Sequence, residues 1–306
     1  MSTLRLRIAS AILNVALGLG YVLAQDQDQD QVQSALQALS ADNLSVLAEL
    51  LGDGLDPNTL PILDSDSNPG FSLAMIAAMR GDPTAMHLLL ESGADPATTD
   101  ANNCTALHWA AGFAANPEVI YQLLRAGSDV NAVCGLNDST PLLMAAERNP
   151  SSLITIALLD VGADLEARGL TTDTPLILAA MHNNAAVVRA LIDAGADLDA
   201  EGHRFTTALL QAAMRNPDAS VVHALVVAGA NVEVLDAYSD TPLILAARYN
   251  GPDVVATLLR AGANTGHRGS RNAQRALDAA LDNPQLRDTF ALVALHATTP
   301  VDDSAP

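Results

Sequence analysis

Lysine is missing from all 306 residues; the 15 basic side chains are all arginine. That excludes a phosphate-binding loop closed by lysine and any Schiff-base amine. Aromatic residues make up only 3%, although hydrophobic residues reach 49%. A core of Ala and Leu in thin layers fits both numbers better than one large globular core. Positive charge is scarce as well: against 35 Asp and Glu, the formal net charge is -20. Such a chain repels nucleic acid and anionic membrane surfaces, and the acidity reads as solubility of an exported protein. No His-Glu-x-x-His or Gly-x-Ser-x-Gly occurs, and no histidine pair has zinc-ligand spacing with a cysteine or with another histidine on one helix. The expectation is therefore no catalytic residues, no metal and no resident cofactor.

Long apolar runs are also lacking. The longest, Ile8 to Ala24, falls short of the roughly 20 residues of a membrane span. It follows Arg5 and Arg7 and ends at Val22-Leu23-Ala24, the pattern of a secretory signal over 1–24. An uncleaved anchor is the alternative. The absence of lysine and the abundance of alanine point to a bacterium with a GC-rich genome. The expected location is the periplasm, with secretion as the alternative, and no membrane span remains after cleavage. Residues 25–33, beginning with alternating Asp and Gln, form a polar linker.

What is abundant is a repeated unit, seen most fully from Thr174 to Asp197. Thr174 caps a helix start and Pro175 suits its first position. Leu176, Leu178, Ala179 and Ala180 form an apolar face. Val187, Val188, Leu191 and Ile192 form a second at helical spacing. Gly195 then ends the unit where a left-handed residue is cheapest. The capping hydroxyl recurs at Ser72, Thr105, Thr140, Thr174, Thr207 and Thr241, at intervals of 33 to 35 residues. The terminating glycine keeps step at Gly93, Gly127, Gly162, Gly195, Gly229 and Gly262. A fixed period near 33 means stacked units that bury their faces only against neighbours.

Thr-Ala-Leu-His-Trp-Ala-Ala at 105–111, Thr-Pro-Leu-Leu-Met-Ala-Ala at 140–146 and Thr-Pro-Leu-Ile-Leu-Ala-Ala at 174–180 and 241–247 resemble the ankyrin-repeat family. The resemblance implies an all-α solenoid of helix pairs with projecting β-hairpin-like fingers. The repeat domain would cover 34–298: an N-terminal cap at about 34–58, six full repeats at about 68–265 and a C-terminal cap at about 270–298. Residues 299–306 would be a disordered tail. Within this frame Gln33–Leu39 and Asn43–Leu51 form the first helix pair, Gln274–Leu281 and Pro284–His296 the last. Asn-Pro at 116–117, 149–150 and 216–217 departs from the Gly-His usual in the family between the two helices. Asp64 to Gly70 has the alternating oxygen ligands of a calcium loop, but its glycine comes one place late and its twelfth position is Met75. A polar loop is the better reading.

The resemblance further implies that neighbouring fingers lie side by side, so Cys104 and Cys134 would meet as a disulfide if the compartment is oxidising; two separate thiols is the other reading. It makes His108 a structural histidine. It places the partner-binding face at the fingers and at the two residues after each Ala-Ala. Those positions carry Arg80, Phe113, Arg148, His182, Arg215 and Tyr249, with Arg248 beside the last, and finger residues Phe205 and Tyr238 join them. Arg and aromatic side chains are enriched in binding hot spots. The competing reading is that these arginines cover apolar neighbours and pair with finger aspartates. The expected function is a monomeric, non-enzymatic module that binds a partner protein on the concave face. The alternative is a carrier or protector of an envelope redox enzyme or its haem, using His182, Met181 and Met214.

Overall fold

The computed structural model describes residues 27–59, 70–135, 137–270, 274–287 and 289–298. The expected signal at 1–24, the core of the acidic loop (64–69) and the tail at 299–306 lie outside them. The chain divides into two compact units, one ending at Leu136 and one beginning at Asn137. The first contains α1 (Gln27–Ser40), α2 (Leu44–Gly52), α3 (Leu73–Arg80), α4 (Pro83–Glu91), α5 (Ala106–Phe113) and α6 (Glu118–Arg125). The second contains α7 (Pro141–Arg148), α8 (Ser152–Asp160), α9 (Pro175–His182), α10 (Ala185–Asp193), α11 (Ala208–Arg215), α12 (Ala219–Val227), α13 (Pro242–Tyr249), α14 (Pro252–Arg260), α15 (Ala276–Asp282) and α16 (Phe290–Thr298). The described residues form helices and no named strand, as the all-α reading requires. No helix among them is long and apolar enough to cross a membrane.

Local chemistry sets the helix limits. The Oγ1 atoms of Thr140, Thr174 and Thr241 accept the backbone N–H three residues on, at 3.3–3.4 Å, and proline takes the first helical position after each. The terminating glycines all have positive φ, 93° at Gly195 for example, which any other residue would adopt only with strain. Helices of 8 or 9 residues are too short to persist alone, so stability comes from stacking. In the first unit α3 packs on α5 and α4 on α6. In the second unit α7, α9, α11, α13 and α15 form one row, and α8, α10, α12, α14 and α16 the other. The buried side chains are Ala, Leu, Val and Ile almost throughout, the thin-layered core expected from composition.

Two limits differ from expectation. The stretch 25–33, expected as a linker, is helical from Gln27. Val32, Ala35, Leu36 and Leu39 are all buried. They make one helical stripe that begins inside the expected linker, and glutamine is a good helix former that extends it backward. At the other end, the last helix starts at Phe290 and not at Pro284. Leu286 turns inward and is fully buried. Thr289 then restarts the helix, its Oγ1 accepting the Leu292 N–H at 3.3 Å.

An asparagine ladder joins the repeats of the second unit at the turn between their helices. The Nδ2 atom of Asn183 donates to Ala146 O and Asn149 O at 3.0 and 2.8 Å. Asn216 donates likewise to Ala180 O and Asn183 O at 3.0 and 2.8 Å. Asn250 reaches Ala213 O and Asn216 O, and Asn283 reaches Ala247 O and Asn250 O, all within 3.0 Å. The Oδ1 atoms of Asn216 and Asn283 accept the N–H two residues on, and that of Asn250 the N–H of Gly251. Each buried amide is therefore satisfied on both sides, as burial demands. In the first unit the same register holds Gly81 and Ala114, which lack the amide.

Candidate partner-binding site

In the first unit, Arg80 ends α3 and forms an ion pair with Asp42. Phe113 ends α5 and stacks on Trp109, centroids 5.8 Å apart. Phe71 meets the same indole edge-on at 4.8 Å, and Trp109 Nε1 donates to Asp100 Oδ2 at 3.1 Å. Phe113 is half-buried. Cys104 and Cys134 are joined by a disulfide across neighbouring fingers, and Gly135 N donates to Asn102 O beside it at 2.7 Å. His108 Nδ1 accepts the Thr105 N–H at 3.2 Å, leaving Nε2 to donate to Ala132 O at 3.0 Å.

In the second unit Arg148, His182, Arg215 and Tyr249 close α7, α9, α11 and α13, which stack in that order. Arg215 is exposed and forms no hydrogen bond or ion pair with the described residues. Tyr249 is 49% exposed. Arg148 Nε lies 3.3 Å from Glu147 Oε2. The fingers between these repeats carry Leu170, Phe205 and Tyr238, exposed by 67%, 65% and 42%. Phe205 and its neighbour Arg204 both hold φ at 58°, a costly conformation for a bulky residue that clusters at binding sites.

Arg248 behaves differently. Its side chain is only 14% exposed, and Nη1 donates to the fully buried Asp240 Oδ2 at 2.5 Å. Nη2 donates to Gln274 Oε1 at 3.1 Å. The guanidinium therefore bridges two successive fingers and is not presented to a partner. Burial, the largest single influence, works to lower its pKa, but the hydrogen bond and charge of Asp240 together with the contributions of Tyr249 outweigh it, so the net shift is upward. The pair's contribution through Arg248 stays intact below the ordinary arginine range and is lost only as pH rises above it. Asp240 is also walled by Gly269, where a Cβ would lie 1.9 Å from Asp240 Oδ1. Gly269→Ala is expected to displace the carboxylate and lower stability by about 1–3 kcal/mol in urea unfolding. A loss below about 0.5 kcal/mol would show that the carboxylate has room to move.

A recess of about 190 Å³ opens between the repeats of α7 and α9. Leu143, Leu178 and Met181 form its apolar lining; Ser139, Glu147, Asp173 and His182 are among its polar residues. Met214, at the same helix position as Met181 in the next repeat, is half-buried. No cluster of metal-ligating side chains occurs among the described residues.

Models of ankyrin repeats match residues 35–134 and 107–202 in three-copy form, and a single ankyrin repeat matches 238–270. The chain belongs to the ankyrin-repeat family. The human ASB11 ankyrin repeat domain has a similar structure, with a TM-score of 0.66 at 25% identity, covering 76% of this chain and 99% of that one. An E3 ubiquitin-protein ligase, KEG of Arabidopsis thaliana, is 34% identical over 117 residues. That match covers 36% of this chain and 7% of the ligase. Ankyrin repeats are protein–protein interaction modules, and this ankyrin chain is one by family.

Within the ankyrin frame, His108 takes the inter-repeat role expected of it. The Asn-Pro departures prove to be part of a wider pattern. Asn149, Asn183, Asn216, Asn250 and Asn283 are spaced 33 or 34 residues apart, and that even spacing was the available sign of the ladder. Nothing in the repeat pattern singles out Leu170 or Asp173. Leu170 joins Phe205, Leu235 and Tyr238 among the exposed apolar side chains of successive fingers.

Proposed function

We propose that this ankyrin protein is an exported, periplasmic, non-enzymatic scaffold that holds a partner protein on residues 137–270. The contact surface is the row of helix ends at Arg148, His182, Arg215 and Tyr249 together with the finger tips at Leu170, Phe205 and Tyr238. The observation that carries this reading is the finger tips: three successive fingers each expose a large apolar side chain, one of them in a strained backbone. Placed on three successive fingers, these side chains offer a partner a row of apolar and aromatic contact area, the kind enriched in binding hot spots. Export is supported by the apolar N-terminal run in the sequence and by the disulfide, which persists in oxidising compartments.

Replacing Arg148, His182 and Arg215 together by serine tests the surface. All three side chains are at least partly exposed, so the melting temperature is expected to change little. Partner recovery from an envelope extract is expected to fall at least tenfold. An unchanged set of recovered proteins, with folding intact, would remove these residues from the site.

A further inference from the structure

The recess at α7 and α9 and the Arg248 bridge occupy the same place in two different repeats. Counting from the capping threonine, Arg248 is seven places after Thr241, and Asp240 is one place before it. Gln274 is one place before Arg275, the residue that caps the following repeat's first helix. The same three places around Thr140 and Thr174 are Glu147, Ser139 and Asp173, and all three line the recess. One repeat therefore fills the space with its own guanidinium. The other leaves it open and lines it with two carboxylates.

Asp173 makes the open version a built site. It is 6% exposed, and its Oδ1 accepts the His203 N–H at 2.9 Å. Its Oδ2 receives no hydrogen bond from the described residues. A carboxylate oxygen so placed favours a cationic donor strongly. Within the chain, Arg148 reaches Glu147 as a partly exposed pair at 3.3 Å that is worth little in water, and His182 also lines the recess. Leu143, Leu178 and Met181 supply the apolar surface on which an arginine stem lies flat.

We propose that this recess is a socket for an arginine side chain of the partner protein, with Glu147 and Asp173 as its acceptors, in the place Arg248 fills from within its own repeat. The proposal rests on the reading of residues 137–270 as the partner-binding surface and assigns the partner a basic residue at that point. The net charge of -20 favours approach of such a segment.

The test uses the full chain with ¹³C-labelled methionine methyls, titrated with N-acetyl-arginine methylamide. A saturable shift of the Met181 methyl is expected, and the neutral citrulline analogue is expected to give none. Glu147→Gln should weaken binding at least tenfold. Glu147→Arg places a guanidinium at the position of Arg248; it should abolish uptake of the probe and raise the melting temperature. No shift at Met181, an equal response to citrulline, or unchanged affinity in Glu147→Gln overturns the socket. The titration is independent of the serine triple variant. A Met181 response with an unchanged set of recovered proteins keeps the socket and removes the wider surface, and the reverse pair of results does the opposite.

Discussion

Replacing both Cys104 and Cys134 by serine lowers the stability of the first unit by about 3–4 kcal/mol. The bond closes a loop with a sequence separation of 30, and the chain entropy released on removing it sets that scale. Both sulfurs are in nearly buried residues, so the serine hydroxyls also lose hydration. Urea unfolding followed by fluorescence reads the effect directly, because the single tryptophan, Trp109, lies in the same repeat among Phe71, Phe113 and Asp100. The midpoint should fall and the slope should rise somewhat, because the denatured chain without its cross-link exposes more surface. Dithiothreitol should reproduce the shift in the wild type and not in the serine variant. Protein isolated from the envelope should carry no thiol that reacts under denaturing conditions; two reactive thiols would contradict both the bond in the cell and an oxidising location.

Asn216→Ala is expected to cost about 2–4 kcal/mol in the second unit. The substitution removes two donated bonds and one accepted bond, and it strands Ala180 O and Asn183 O in the interior. Unmade hydrogen bonds at buried carbonyls account for most of the loss. Asn216→Asp keeps the shape and the acceptor for the Asp218 N–H. It turns a donor toward two carbonyls into a charged acceptor, so it should be at least as damaging near neutral pH. Circular dichroism in urea measures both. A cost below about 0.5 kcal/mol for the alanine variant would mean that water replaces the amide.

The repeat was legible because capping hydroxyls, proline and terminating glycine act locally, and each leaves its mark within a few residues of its effect. Thr174, Pro175 and Gly195 predict their helix pair without knowledge of any neighbour. The ladder was not legible in the same way. Asn183 bonds to residues 34 to 38 places earlier, and nothing beside it in sequence says so. The stripe at Arg80, Phe113, Arg148, His182, Arg215 and Tyr249 follows from the repeat spacing alone. Spacing does not separate Arg215, which has no partner among the described residues, from Arg248, which is held by Asp240 and Gln274. That difference depends on an aspartate next to the capping threonine and a glutamine 26 residues on. The linker was misplaced because Asp and Gln alternate at its start, while the stripe beginning at Val32 is weak until Leu36 and Leu39 complete it.

The bridge at Arg248 also bears on how such a protein acquires new ligands. Its guanidinium serves as a plug, and a single codon decides whether a repeat carries its plug or lacks one. A duplicated repeat inherits the plug and is inert at that spot. Losing it by mutation uncovers an acidic niche whose shape has already been fixed by the stack around it. Ligand choice can therefore diverge repeat by repeat without any remodelling of the scaffold.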